Sequence, residues 1–132
     1  MGRFLDQRSS MNAGTEIAVA LTTPTLFGVV GLQTQAVAGP IVDLSGTIGL
    51  GTPATGTAVI NVVRGTTLTD TIIYTAIITL EAAGSELVSF NAQDLLAPAA
   101  LQTAYASFVS LTGGAITRVG PEAFWGIASA NS

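Results

Sequence analysis

Between Thr71 and Leu80 the chain reads Thr-Ile-Ile-Tyr-Thr-Ala-Ile-Ile-Thr-Leu. Side chains of an extended strand alternate between its faces. This segment therefore sets Ile72, Tyr74, Ala76, Ile78 and Leu80 on one apolar side and Thr71, Ile73, Thr75, Ile77 and Thr79 on a mixed one. The same period of two recurs at Val42, Leu44, Ile48 and Leu50, which alternate with Asp43, Ser45, Thr47 and Gly49, and again at Val88, Phe90 and Ala92. No stretch sustains a helical period, and Gly- or Pro-containing turns separate the apolar runs at 51–56, 64–70, 82–85 and 113–114.

The pattern predicts an all-β, single-domain antiparallel β-sandwich of about eight strands, at roughly 16–21, 25–35, 40–50, 57–64, 70–80, 85–93, 101–111 and 115–129. A jelly-roll arrangement fits that number, with an immunoglobulin-like sandwich as the nearest rival. Residues 16–132 form the sandwich in this reading, and residues 1–15 an N-terminal arm. Gly120-Pro121 inside the last strand signals a bulge or an edge, because proline donates no ladder hydrogen bond. The segment Asp94 to Gln102 reads as one helical turn or as a loop crossing between sheets.

Composition limits the chemistry. The 132 residues include no Cys, no His and no Lys, which excludes thiol and imidazole catalysis, Schiff bases and the usual zinc and haem ligand sets. Eight carboxylates remain, and Asp43, Asp70, Glu81, Glu86, Asp94 and Glu122 read as solvated charges at strand ends or on polar faces. No acidic loop of calcium-binding spacing occurs. No enzyme activity, cofactor or metal is expected. Four scattered arginines and a net charge of -4 make no basic stripe, so nucleic acid is not an expected partner. The uncharged stretch 17–42 is interrupted by Thr, Gln and Pro, so no membrane span is expected. Asp6 and Arg8 stand where the apolar core of a secretory signal would lie, so no signal peptide is visible.

Only 9% of residues are charged against 48% hydrophobic. Soluble domains are about a quarter charged. Part of the apolar surface is therefore expected to meet other copies of the chain, in a trimer or a filament. Phe4, Leu5, Ile17, Val19, Leu21 and Trp125 are the candidate assembly residues, the first five through donation of the N-terminal segment to a neighbour as an added strand. Phe124 and Trp125 are adjacent and point to opposite faces, one into the core and the other to a surface or an interface.

Four segments, Val42-Asp-Leu-Ser-Gly-Thr-Ile-Gly49, Ile60-Asn-Val-Val-Arg64, Val88-Ser-Phe-Asn-Ala92 and Val119-Gly-Pro-Glu-Ala-Phe-Trp-Gly126, give the chain a pattern that resembles small jelly-roll surface proteins of spore-forming Firmicutes, of the exosporium or endospore-appendage type. The resemblance implies a structural, self-assembling subunit of a spore-surface or extracellular fibre or layer, in contact with copies of itself and with other surface-layer proteins. It departs from collagen-like members in having no Gly-X-Y tract, and from many appendage subunits in lacking cysteines. Two other readings share the fold: a carbohydrate- or receptor-binding jelly-roll module forming a closed trimer, and a phage or virus capsid decoration protein.

Overall fold

The computed structural model describes residues 2–12 and 19–130. Its strands are β1 (Arg3–Asn12), β2 (Val19–Ala20), β3 (Thr25–Leu32), β4 (Ile41–Thr52), β5 (Gly56–Arg64), β6 (Thr71–Leu80), β7 (Gly84–Asp94), β8 (Thr103–Gly114) and β9 (Thr117–Ala130). Sheet A has the order β1-β9-β4-β7, with the two-residue β2 beside β9, and sheet B has the order β3-β8-β5-β6.

The connectivity defines the fold. The long strands pair as β1 with β9, β3 with β8, β4 with β7 and β5 with β6, all antiparallel. The chain is thus one long hairpin with its tip between β5 and β6. Pairing of β4 with β9 and of β5 with β8 rolls that hairpin into two sheets. That is a jelly roll.

Apolar residues between the sheets drive the roll. Leu32, Val42, Leu44, Ile48, Leu50, Ile60, Val62, Val109 and Phe124 are almost wholly buried. Phe90 sits at the centre, with Phe27 edge-on at 5.9 Å, Phe124 stacked at 6.3 Å and Tyr74 stacked at 6.2 Å. Offset and edge-to-face pairs at these spacings are favourable beyond the area they bury. Gly46 makes room for this group, since a Cβ there would lie 2.3 Å from the Phe90 ring.

The segment read from sequence as an arm contributes a strand. Residues 3–12 form β1, an edge strand of sheet A pairing with β9 of its own chain from Arg3 opposite Ala130 to Asn12 opposite Glu122. Asp6 Oδ2 accepts the Gln33 N–H at 2.8 Å, and the Leu5 carbonyl accepts Gln35 Nε2 at 3.1 Å, which tie β1 to the end of sheet B. Of the expected strand 16–21, residues 19–21 are described: Val19 and Ala20 form β2, and the Leu21 N–H donates to the Ile116 carbonyl at 2.8 Å.

Two local irregularities change which side chains face inward. In β6 the register against β5 slips at Val62 and Val63, so Val63 stands opposite Ile72 and Ile73 is the extra residue. Ile73 then packs on the core and Ile72 turns outward, 48% exposed, reversing the expected assignment for these two residues. Around Gly120-Pro121, β9 is an interior strand, with the register against β4 slipping between Ile48 and Leu50. Pro121 falls between the stretches of β9 that pair with β1 and with β2. Its missing N–H is therefore tolerated inside a central strand. Residues 95–102 hold no helix and form the crossing from sheet A to sheet B.

Candidate functional site

The sandwich offers two outer faces of different chemistry. In sheet B, the four strands contain a single charged residue, Arg64. Register places Val29, Ala106, Val63 and Ile72 in one outward row across the sheet; the next row is Leu26, Phe108, Asn61 and Thr75, the last two hydrogen-bonded at 2.9 Å, and Val59 and Ile77 lie in the row after it. Leu68 from the β5–β6 loop folds over Val63, Ala106 and Phe108 and buries them in a small cluster outside the main core. Leu26, Val29, Ile72 and Ile77 stay open, Ile77 at 71% exposure. Around the β6 edge the apolar surface continues into a groove of about 490 Å³, where Ile72 and Ile73 meet Leu95 and the 84% exposed Leu96.

The outer face of sheet A carries two mostly polar rows around Trp125, with exposed Phe4, Leu87 and Ile127 on the same side. Ser9, Trp125, Ser45 and Asn91 form one cross-sheet row, and Gln7, Ile127, Asp43 and Gln93 the next. Ser45 Oγ donates to Asn91 Oδ1 at 2.7 Å, and Gln93 Nε2 donates to Asp43 Oδ1 at 2.7 Å. These four residues, with Leu44 and Ala92, line a depression of about 350 Å³ on β4 and β7; Trp125, on the neighbouring β9, is not part of its lining.

The predicted assembly residues are divided by this geometry. Phe4, 64% exposed and opposite Ser129, lies on the same side of sheet A as Trp125, which is partly exposed. Leu5 and Leu21 are buried in the chain's own core. Val19 pairs through its backbone with Arg118, and Ile17 lies outside the described residues.

Two carboxylates expected at the surface are buried instead. Asp94, at the end of β7, receives both Arg64 Nε and Nη2 at 2.7 Å, the Tyr105 hydroxyl at 2.7 Å and the Leu96 N–H at 3.0 Å. Glu122 receives Arg118 Nε at 2.7 Å and Nη2 at 2.6 Å. The sequence signal was parity: Asp94 continues the inward series Val88, Phe90, Ala92, and Glu122 precedes Phe124, Gly126 and Ala128. A charge on an inward face must be paired, and each acid has a bidentate arginine. Among the described residues, no group of three acidic, His or Cys side chains could hold a metal. Asp70 caps its own turn by accepting the Thr66 and Thr67 N–H groups at 3.0 Å.

The titrations follow from these contacts. Burial alone would raise the Asp94 carboxyl, but the hydrogen bonds from Arg64, Tyr105 and Leu96 outweigh it and hold it below the ordinary carboxylate value. The N–H of Gln33 lowers Asp6, and the Thr67 and Thr66 N–H groups lower Asp70. Burial, and then the bond to Asp94, push the Tyr105 phenol well up. Carboxyls lowered by folding stabilise the fold above their unfolded pKa of about 4, and that stability is lost as pH falls through the folded values. A phenol raised by folding stabilises below its unfolded pKa of about 10, and that stability is lost at higher pH. With no His in the chain, thermal melting is expected to be flat from about pH 5 to 9 and to fall at both ends. A midpoint that changes steeply near pH 6.5 would contradict this.

The fold and its two faces define a jelly-roll β-sandwich. No protein-family model matches the chain, and no curated protein is significantly similar to it. Distant likenesses exist among solved structures. An arabinose-bound MgGH51 α-L-arabinofuranosidase is 9% identical, with a TM-score of 0.42 over 94% of this chain and 23% of that one. The infectious bursal disease virus Gx strain structure is 13% identical, with a TM-score of 0.46 over 96% of this chain and 33% of that one. A CBM4 structure is 9% identical, with a TM-score of 0.38 over 98% of this chain and 77% of that one. The chain thus spans a third or less of the first two, and its assignment as a jelly roll rests on its own strand order. No helix among the described residues is long and apolar enough to cross a membrane.

Proposed function

We propose that the protein is a non-catalytic structural subunit that assembles with copies of itself through the outer face of sheet B. The observation that carries this reading is the lack of charge on that face: Arg64 is the only charged residue in its four strands, and it is taken up by Asp94. Charged residues are depleted from the centres of protein interfaces, and open apolar patches rimmed by polar residues mark association sites. The β6 edge adds a second mode of contact. It is ten residues long, without charge or proline, and such edges are templates for pairing with another chain. Asp70 and Glu81 lie just outside its two ends.

The absence of catalysis is part of the same proposal. Asp94 and Glu122, the two buried acids, each have both carboxylate oxygens occupied by an arginine, which leaves neither free as a general acid or base. The resemblance to exosporium and endospore-appendage subunits supports a place on the spore surface or in another extracellular layer, alongside other surface-layer proteins.

Sedimentation and negative-stain microscopy of the purified chain are expected to find a defined oligomer or filament. Ile77→Asp, on the outside of the sandwich, is expected to leave the fold intact and to weaken association about a hundredfold, because an unpaired carboxylate in an apolar contact costs about 3 kcal/mol or more. Val29→Asp, at the opposite edge of the same face, tests whether the whole face takes part. A wild-type chain that stays monomeric at high concentration would end the proposal.

A further inference from the structure

We infer that the outer face of sheet A binds a neutral, linear polysaccharide, with Trp125 as its stacking platform. This goes beyond assembly through sheet B and does not depend on it. Trp125 is the only tryptophan in the chain and is not spent on the core, where its neighbour Phe124 is fully buried. Along its row it stands between Ser9 and Ser45, two small residues, and its side chain is partly exposed. A pyranose ring has a face of C–H bonds that packs on an aromatic surface, while its hydroxyls project around the rim.

The surroundings match that rim. On β4 and β7, next to the strand that carries Trp125, Ser45, Asn91, Asp43 and Gln93 supply a hydroxyl, two amides and a carboxylate around a depression of about 350 Å³. Their side chains already bond one another in two pairs at 2.7 Å, which holds them in place before any ligand arrives. Each keeps unused donors or acceptors, and sugar hydroxyls, which both donate and accept, can meet either kind. A second protein surface would have to match these groups one by one or leave them buried and unpaired.

Charge and dimensions narrow the ligand. Asp43 is the one charged residue in the two central rows, and no arginine shares them, so an acidic glycan finds no counter-charge. Four strands about 4.8 Å apart give a strip about 14 Å wide, which suits a short run of sugar rings lying across the strands. The site is on the opposite side of the sandwich from the proposed assembly face. An assembled layer would therefore display it many times over, and avidity would multiply a weak single-site affinity.

The single tryptophan is also the reporter. The intact chain is titrated with cellohexaose, xylohexaose and chitohexaose, following Trp125 fluorescence and the heat of binding. At least one hexasaccharide is expected to give a saturable signal in both. Trp125→Ala (followed by heat alone) and Asn91→Ala are expected to weaken binding about tenfold or more, with circular dichroism and oligomeric state unchanged. Ile77→Asp, which disables the assembly face, is expected to bind each hexasaccharide as the wild type does, so the two proposals fail separately. Absence of a saturable signal with all three sugars, or binding that survives Trp125→Ala, would overturn the inference. Loss of oligomerisation in Trp125→Ala would instead assign this face to a second copy of the chain.

Discussion

Replacing Asp94 with alanine is expected to lower the unfolding free energy by about 3 kcal/mol, the lower end of the roughly 3–5 kcal/mol seen when one partner of a buried ion pair is removed. The Asp94 side chain is 3% exposed and takes four hydrogen bonds from Arg64, Tyr105 and Leu96. Its loss leaves the Tyr105 hydroxyl without its acceptor in a residue that has no solvent exposure. Arg64 keeps 21% exposure and recovers some hydration, which places the effect at the low end. Asp94→Asn retains the shape and an acceptor but not the charge, and is expected to recover part of the loss. Urea unfolding of both variants measures this, and two coincident curves would show that the charge alone, and not the shape or the remaining acceptor, carries the effect. The network joins β5 and β8 of sheet B to the end of β7 in sheet A, so the loss should also loosen the 95–102 crossing.

Phe124→Ala is expected to be at least as damaging, at about 3–5 kcal/mol. The ring is fully buried and stacks 6.3 Å from Phe90, which also carries Phe27 and Tyr74. Removing it leaves a cavity at the junction of both sheets, where rigid main-chain ladders limit collapse. Domains of this size are stable by only about 5–15 kcal/mol, so the midpoint in urea should fall by about a fifth or more. Phe124→Leu, which refills most of the volume, is expected to lose less. A shift under 1 kcal/mol for the alanine variant would show that the aromatic cluster is not the centre of the core.

How much of this was legible in the sequence depended on how regularly each strand alternates. Val42 to Leu50 and Val88 to Ala92 face inward as their period of two predicts, because both strands lie flat against the core with one solvated face. The prediction failed at Ile72 because one bulged residue reverses parity, and nothing in a run of isoleucines marks where the slip falls. Strand β1 was read as an arm because Arg3 to Asn12 is mostly polar. An edge strand is held by main-chain hydrogen bonds, which composition does not encode. The two buried acids were open to the parity argument that placed Phe90 and Phe124. The row joining Ser9, Trp125, Ser45 and Asn91 was not, since it brings together four strands from positions 9 to 125 and exists only through long-range pairing.

The nested hairpin also orders events in time. Sheet B ends with β8 at Gly114, whereas sheet A has β9, which follows every strand of sheet B in the chain, between β1 and β4. Strand β1 is therefore synthesised well before β9 and must wait for it before it can pair. Until then a nascent chain can close its β5–β6 tip and the whole of sheet B, yet sheet A has no centre to cover it. Pairings this distant in sequence place the chain among slow-folding topologies, in the range of milliseconds to seconds. The face around Trp125, built on β9 and its neighbours, comes into existence only after sheet B has all of its strands.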